Sequence, residues 1–392
     1  MLAAGESRPL VLHLVYRFDT GGLENGVVNL INHLPHDRWR HAVVALTEVV
    51  PAFAQRVQRS DVDFFSLHKP AGHAVALYPQ LTRLFQNLRP DVVHTRNLAA
   101  MECQLPAAWA RVPVRIHGEH GRDVDDLDGS SRRHQWIRRI YRPFIHHHVA
   151  LSADLARYLT EKTGLSESRV EKIHNGVDIV RFRSTESGRK SISDCPFNDK
   201  SLFVLGTVGR MQDVKAQTIL ARAFVQAIQR WPVLSETLRL VMVGEGPLRA
   251  KSKALLDKVG LSHLAWLPGE RVDVPDVMAG LDCFVLPSLA EGISNTILEA
   301  MATGIPVIAS EVGGNTELVL DGETGITVPA GDVDALAAAM LSLSCHPQRS
   351  TAMGLAGRKR VEEKFSLPVM VMKYQSMYER LLSDRASRLA RG

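Results

Sequence analysis

The sequence predicts two α/β domains, each a parallel sheet with helices on both faces. Three observations carry this. The chain has 392 residues, more than one hydrophobic core usually organises and enough for two domains of about 150–200 residues. Short, β-branched and wholly apolar runs alternate with amphipathic stretches, as strands covered on both sides by crossover helices should. A polar, serine-rich stretch, Arg183–Lys200, interrupts the series near its middle and reads as a linker.

The elements follow in order. Leu10–Tyr16 is a first strand ending in Gly21–Gly22, and Asn25–Leu34 is a helix with Val27, Val28, Leu30, Ile31 and Leu34 along one face. His41–Leu46 is a strand, Ala76–Leu88 a helix, and Asp91–His94 a strand after Pro90. Val114–His117 and His148–Leu151 continue the sheet, and Asn175-Gly-Val-Asp178 is a turn. Beyond the linker, Ser201–Val208, Leu238–Val243, Cys283–Leu286 and Pro306–Ala309 are strands. Gln217–Gln229, Leu248–Val259 and Thr296–Thr303 are the intervening helices. The tail from Met370 to Leu389 is helical. The expected layout is a Rossmann-like domain over 1–183, a linker over 184–200 and a second Rossmann-like domain over 201–369. The helix at 370–392 crosses back to the first, and the two domains face each other across a cleft.

Composition excludes several classes. With 45% hydrophobic and 23% charged residues the chain is an ordinary globular one, not disordered or collagenous. No apolar run approaches the about 18–20 residues of a membrane span, and the start lacks the pattern of a secretory signal. The four cysteines, Cys103, Cys195, Cys283 and Cys345, form no C-x-x-C pair, which suits a reducing cytoplasm. The net charge, 47 − 42 = +5, fits anionic small molecules or a phospholipid surface, and no nucleic-acid signature accompanies it.

The densest chemistry lies in Pro287–Gly314, PSLAEGISNTILEAMATGIPVIASEVGG. A strand ends at Pro287, a loop carries Glu291 and Gly292, and a helix starts near Asn295 with Glu299 in its early turns. The free N–H groups and partial positive charge of a helix start suit a phosphate, and Gly292 permits close backbone approach. Glu291 and Glu299 cannot share a helical face at about 100° per residue, yet both can line one pocket if Glu291 stays in the loop. Carboxylates accept hydrogen bonds, so they suit sugar hydroxyls better than phosphates. The plain alternative is a buried strand–helix–strand with incidental acids.

Upstream, Thr207–Lys215 (TVGRMQDVK) places Arg210 and Lys215 just after the strand-end Gly209. A planar fork and a mobile point charge can neutralise a diphosphate leaving group without a metal; the plain alternative is two solvated cations. Gly244-Glu-Gly-Pro247 is a partial G-x-G-x-x-G whose third glycine position holds Arg249, which points to shape rather than chemistry. In the first half, Asp19–Glu24 (DTGGLE) follows the first strand, and Gly21 and Gly22 form either an anion cradle or a tight turn. Arg115–Asp123 (RIHGEHGRD) ends another strand, and its His117 and His120 read as polar loop residues when taken alone.

The segment from Glu291 to Glu299 resembles the E-x7-E motif of the retaining glycosyltransferases of family 4, which have the two-domain GT-B fold. That resemblance implies that Glu299 binds the nucleotide ribose, that Glu291 contacts the transferred sugar, and that the backbone at Ser294, Asn295 and Thr296 meets the distal phosphate beside Gly292. It implies that Arg210 and Lys215, after Gly209, clamp the diphosphate, and that Gly244 and Gly246 form the turn near the base. Gly21, Gly22 and Glu24 match a G-G-x-E loop that closes on the donor phosphates and faces the acceptor. His120 matches a histidine beside the transferred sugar, and Glu119 and Asp123 are acceptor candidates. The chain departs from many relatives in having Ile293–Ser294 where they have Phe-Gly. At finer grain, HGEHGRD and EGISNTILEAMA are similar to sugar transferases of bacterial exopolysaccharide systems associated with exosortase and PEP-CTERM sorting.

The implied activity is transfer from a UDP-, GDP- or ADP-sugar to a saccharide or lipid-linked saccharide acceptor, with no cofactor and no metal. The D-x-D patterns of Asp123–Asp128 are expected to be solvated acids, because Arg210 and Lys215 already supply the phosphate counter-charge. Two rivals are a nicotinamide oxidoreductase, which would need a complete glycine fingerprint, and a non-catalytic nucleotide-sugar-binding or scaffold protein. Finally, Ser130–Ala153 holds no acid but five arginines interleaved with Trp136, Ile137, Ile140, Tyr141, Phe144 and Ile145. The spacing predicts a helix over 132–145 with its apolar residues on one face and cations opposite, either packed on the core or lying on an anionic membrane. The expected location is the cytoplasm, with contact at the inner face of the membrane.

Overall fold

The structure, a computed structural model, describes residues 8–122, 126, 128–184 and 188–390. The chain divides into two compact units, Met1–Asn175 with Pro368–Gly392, and Gly176–Leu367. The first contains strands β1 (Leu10–Val15), β2 (Arg40–Ala45), β3 (Val62–Ser66), β4 (Val92–Arg96), β5 (Val114–Glu119), β6 (His147–Ala150) and β7 (Val170–Lys172). They form one seven-stranded sheet in the order β3-β2-β1-β4-β5-β6-β7. Every pairing is parallel, with Val11 opposite Val92 and Ile116 opposite His147. The second unit contains β8 (Phe203–Val208), β9 (Leu238–Val243), β10 (Ala265–Gly269), β11 (Cys283–Leu286), β12 (Val307–Ser310) and β13 (Gly325–Val328). These form a parallel six-stranded sheet in the order β10-β9-β8-β11-β12-β13.

Each sheet is covered on both faces. Leu12 and Leu14 of β1 pack with Leu81 and Phe85 of the helix Tyr78–Leu88, while Val43 and Ala45 of β2 pack with Val27 and Ile31 of the helix Gly22–His33. A fully buried leucine or phenylalanine stabilises by about 1.5–3 kcal/mol, so the central strands are mostly apolar, although those of the first sheet also bury His13, His41, His94 and His117. In the second unit the helix Gln217–Arg230 buries Leu220, Phe224 and Ala227 against Leu205, Leu240 and Val285.

The strands absent from the expectation are β3, β7, β10 and β13, which are the four sheet edges. None of the residues of β3 or β7 is buried, and β10 buries only Gly269, whereas β1 is buried throughout. With one flank open, an edge needs no continuous apolar run, so the pattern that marks central strands is missing there.

The domain limits also shift. The division falls at Asn175/Gly176 instead of 183, and of the polar stretch placed in a linker over 184–200, residues 188–200 pack into the second unit. Ile192, Cys195 and Phe197 are buried, Arg189 pairs with Asp282 at 3.2 Å, and the Asn198 amide bonds Ile192 and Cys195. Three apolar anchors among many polar residues were too sparse to read as structure.

The helix Leu367–Leu389 belongs to the first unit from Pro368 onward. Its Tyr378 is fully buried, packs on Trp39 and shares a 2.9 Å hydrogen bond with Nδ1 of His94. That bond gives His94, which ends no charge network of its own, a partner inside the protein.

Candidate active site

In the second unit, three loops at the C-terminal ends of adjacent strands carry the expected donor residues. After β8, Gly209 turns with φ +149° and its N–H donates to the Val243 carbonyl at 3.0 Å. Met211 N–H donates to the Glu245 carbonyl at 2.8 Å. Gly244 and Gly246, at φ +138° and +142°, lie so close to this turn that a Cβ would collide with the carbonyls of Gly209 and Met211. Only glycine fits, so both residues serve to lock the loop after β9 onto the loop after β8. The Arg210 side chain is exposed, and its carbonyl accepts from the Gln217 side chain at 3.0 Å.

A short 3-10 turn, Asp213–Lys215, then presents Lys215 to the loop after β11. Lys215 Nζ lies 2.6 Å from Glu291 Oε1, and the Ser288 hydroxyl donates to the same oxygen at 2.6 Å. Leu289 N–H donates to the Val214 carbonyl at 2.8 Å, tying the two loops by backbone as well. The Glu291 side chain is 8% exposed and that of Lys215 28%. This ion pair is thus shielded on its acid side and open on its ammonium side, where an anion can approach. Glu291 therefore orients Lys215, a role beyond the sugar contact expected of it.

The helix Asn295–Thr303 starts directly after this loop. The Ser294 hydroxyl caps it by accepting from Ile297 N–H at 3.3 Å and lies 3.1 Å from the Thr296 hydroxyl. Capping by serine satisfies one donor, and the partial positive charge of the helix start suits an anion. Gly292 sits under the loop, its carbonyl accepting from Gly314 N–H at 3.0 Å. One and a third turns into the helix, Glu299 is half-buried and accepts no hydrogen bond from the described residues. Burial pushes its carboxyl up to about 7, and the Arg181 charge opposes this only in part. A carboxylate so placed gains when a hydroxyl donates to it.

In the first unit the expected residues part company. Gly21 precedes the helix Gly22–His33, but the Glu24 carboxylate folds back over Gly21, so an anion at this helix start must displace it. His120, just past β5, is held by its backbone: its N–H donates to Oδ1 of Asn97 at 2.9 Å, and Asn97 N–H donates to the Gly118 carbonyl at 2.8 Å. Asn97 adopts φ +58° and ψ 165° to do so, a positive-φ conformation rare for any residue but glycine. Both ring nitrogens of His120 are buried without a partner. Burial, then the charge of the buried Arg96, then His117 push its imidazole down to about 3, against a weaker pull from Glu119. His120 is therefore a neutral ring with one donor and one acceptor to offer.

Glu119 is a correction. It is 1% exposed and forms a bidentate pair with Arg138 at 2.7 and 3.0 Å, with His117 3.4 Å away. Burial works against its charge, but Arg138 and His117 hold its carboxyl well below the usual carboxylate range. It cannot meet an acceptor. Asp123 lies outside the described residues. Of the D-x-D patterns, Asp126 accepts from Ser131 N–H at 2.8 Å and Asp128 from Ser130 at 3.1 Å, both as local turn caps.

The helix Arg132–Tyr141 is also the reverse of its expectation. The apolar residues do not form the packed face: Trp136 is 63% and Ile140 40% exposed, beside exposed Arg132, Arg133 and Arg139. The buried face is polar, with His134 near Asp126 at 3.3 Å and Arg138 on Glu119. The buried acid at Glu119 selects an arginine for the core, and that rotation turns the tryptophan outward. Arg138, Asn97, Ser288 and Arg181 were missed by sequence reasoning. Only Asn97 left a signal, an asparagine directly after a strand, where its side chain can accept from nearby backbone.

Comparisons with known proteins agree with this layout. Residues 20–181 match the family model described as Glycosyltransferase Family 4, and residues 203–346 that described as Glycosyl transferases group 1. The chain is 33% identical over 227 residues to the D-inositol 3-phosphate glycosyltransferase of Rhodococcus erythropolis, covering 56% of this chain and 50% of that protein. It thus spans only half the length of that relative. It is 25% identical over 317 residues, 80% of each chain, to the UDP-Gal:alpha-D-GlcNAc-diphosphoundecaprenol alpha-1,3-galactosyltransferase of Escherichia coli. Among solved structures, a glycosyltransferase from Rickettsia africae superposes with a TM-score of 0.81 at 18% identity, covering 96% of this chain and 99% of that one. Anabaena HepE in complex with UDP gives 0.77 at 18% identity, over 94% and 99%. Two parallel-sheet α/β units, each matched by its own family model, make this fold GT-B, and the chain belongs to the family 4 glycosyltransferases.

Proposed function

We propose that the protein is a retaining, metal-independent glycosyltransferase that moves a sugar from a UDP-, GDP- or ADP-sugar to a saccharide or lipid-linked saccharide in cell-surface polysaccharide assembly. The observation that carries this reading is the Lys215–Glu291 pair set beside a serine-capped helix start that leads to Glu299. Lys215, Arg210 and the N–H groups at Asn295 and Thr296 are cationic or donating, and they suit a diphosphate whose charge grows as the bond to the sugar breaks. Glu299, which lacks a donor, suits a ribose hydroxyl.

In the step proposed, the bond from the anomeric carbon to the diphosphate oxygen breaks. The acceptor oxygen bonds to the same carbon from the face the diphosphate leaves, and the acceptor proton passes to the departing phosphate. No side chain need act as a covalent nucleophile. Neutral His120 suits a sugar hydroxyl, which it can bond without adding positive charge. The relatives named for diphosphoundecaprenol and UDP support a nucleotide donor and a lipid-linked acceptor, and the likeness to exosortase-associated transferases supports exopolysaccharide.

No helix among the described residues is long and apolar enough to cross a membrane. The exposed stripe of Trp136, Ile140, Arg132, Arg133 and Arg139 supports peripheral contact with an anionic inner leaflet of the membrane, from the cytoplasm. The deciding experiment screens UDP-, GDP- and ADP-sugars by thermal shift, then follows release of the nucleoside diphosphate with an undecaprenyl-diphosphate saccharide as acceptor. Acceptor-dependent release supports the transferase. Binding of a donor with no release against a panel of acceptors would reduce the protein to a nucleotide-sugar binder.

A further inference from the structure

A second polar cavity, of about 400 Å³, lies in the first unit at the opposite strand ends from His120. It opens where β5, β6 and β7 begin, and the last turns of the C-terminal helix wall it. Val114, Ile145 and Leu381 supply an apolar floor, and Arg169, Arg385 and Arg388 the cationic side. Arg115 stands behind His146, with its Nη2 2.9 Å from the ring Nε2.

These cations are positioned but not neutralised. Arg115 donates to the carbonyls of Phe144 at 2.6 Å and Val112 at 2.8 Å, and Arg169 to that of His146 at 3.2 Å. Carbonyls fix the direction of a guanidinium without cancelling its charge. Nε of Arg385 is buried with no hydrogen-bond partner among the described residues. The one acid lining the cavity, Asp384, is exposed and pairs with none of the described arginines. The crowding shows in His146, whose imidazole is pushed down to about 4 by burial and then by Arg115, Arg385, Arg169 and Arg388. Arg115 itself is pulled down to about 10 by burial and by Arg385. Like charges held together at an apolar floor are costly unless a polyvalent anion joins them.

We propose that this cavity is a binding site for a phosphate-bearing ligand, with the guanidinium groups of Arg169, Arg385 and Arg388 taking the phosphate oxygens and the apolar floor taking adjoining hydrocarbon. The size suits a headgroup-sized molecule. The phosphate can belong to an anionic lipid or to a soluble compound. Pro143, which lines the cavity, also follows the exposed Arg132–Ile140 stripe, so a lipid source would place the headgroup beside the surface that meets the membrane. The site does not depend on the transferase reading.

The test uses the full chain with Arg210→Ala and Lys215→Ala throughout, which removes both donor-site cations, together with a saturating nucleoside diphosphate control that shows the donor site no longer responds. Inorganic phosphate at constant ionic strength should raise the melting temperature, and Arg385→Gln with Arg388→Gln should abolish the rise. Sedimentation with phosphatidylglycerol–phosphatidylcholine vesicles separates the sources. A loss of vesicle affinity of about thirtyfold in the double variant, with competition by inorganic phosphate, assigns the site to a lipid headgroup. Unchanged vesicle binding with the phosphate effect lost assigns it to a soluble phosphate. If the double variant folds poorly, Arg388→Gln alone, at an exposed position, should give a partial loss of the phosphate effect. A phosphate response that survives both sets of substitutions overturns the proposal. Trp136→Ala leaves this cavity untouched, so failure of the membrane stripe and failure of the phosphate site are told apart.

Discussion

The C-terminal strand ends of the two sheets carry opposite kinds of polar chemistry. In the first unit they are dry: Glu119 and Arg138 neutralise each other inside the protein, and His94, His117, His120 and His148 stand nearby as buried rings. Burial holds His94, His120 and His148 below the ordinary imidazole range. In the second unit the ends are half-open: Lys215 keeps an exposed side, a helix start offers N–H groups, and Glu299 waits without a donor. The difference separates two tasks. A buried pair whose charges cancel stands beside neutral rings in the first unit, whereas half-exposed charges in the second can respond when a charged substrate arrives.

Substitutions can break this contrast, beginning with the largest expected effect. Glu119→Ala leaves Arg138 buried and uncompensated, which should cost about 3–5 kcal/mol in urea denaturation. A loss below about 1 kcal/mol would show the pair to be dispensable. Lys215→Ala should weigh the other way: a smaller loss of melting, because Ser288 still donates to Glu291, but turnover down by about 10²–10³ in a nucleoside-diphosphate release assay. A melting loss as large as that of Glu119→Ala would mean the second site is as structural as the first.

The smallest effect is one of pH. Glu299 titrates near 7 when free, and a hydroxyl donating to it favours the charged form, so its value falls on binding. Donor affinity should be full above about pH 7 and weaken by up to tenfold per unit below it, about 1.4 kcal/mol. Calorimetric titration from pH 8 to 5.5 reads this. A profile that Glu299→Gln does not flatten would remove Glu299 from the donor contacts.

The central strands and the donor loops were legible because each imposes a local rule. A strand buried on both faces is mostly apolar, and a loop that grips a diphosphate concentrates glycine, serine and cations at fixed spacing. The edges β3, β7, β10 and β13 obey no such rule. Nor does the helix Arg132–Tyr141, whose orientation is set by a residue thirteen positions before it begins. Nothing in its own spacing reveals that Glu119 will draw Arg138 inward and leave Trp136 outside. Periodicity assumes that apolar residues win the core, and a single buried carboxylate reverses that. Glu119 was misread for the same cause, since an acid after a strand looks alike whether it faces substrate or a hidden guanidinium.

The C-terminal helix carries a consequence for biosynthesis. Because Tyr378 fills the space between Trp39 and His94, the unit made first lacks a core side chain until the helix Leu367–Leu389, which follows the whole second unit, has been made. The later half holds all its strands in one continuous stretch and has no such wait. During synthesis the second domain can therefore set while the first is still open. Nonsense mutations shortly before Tyr378 would injure the domain farthest from them in sequence.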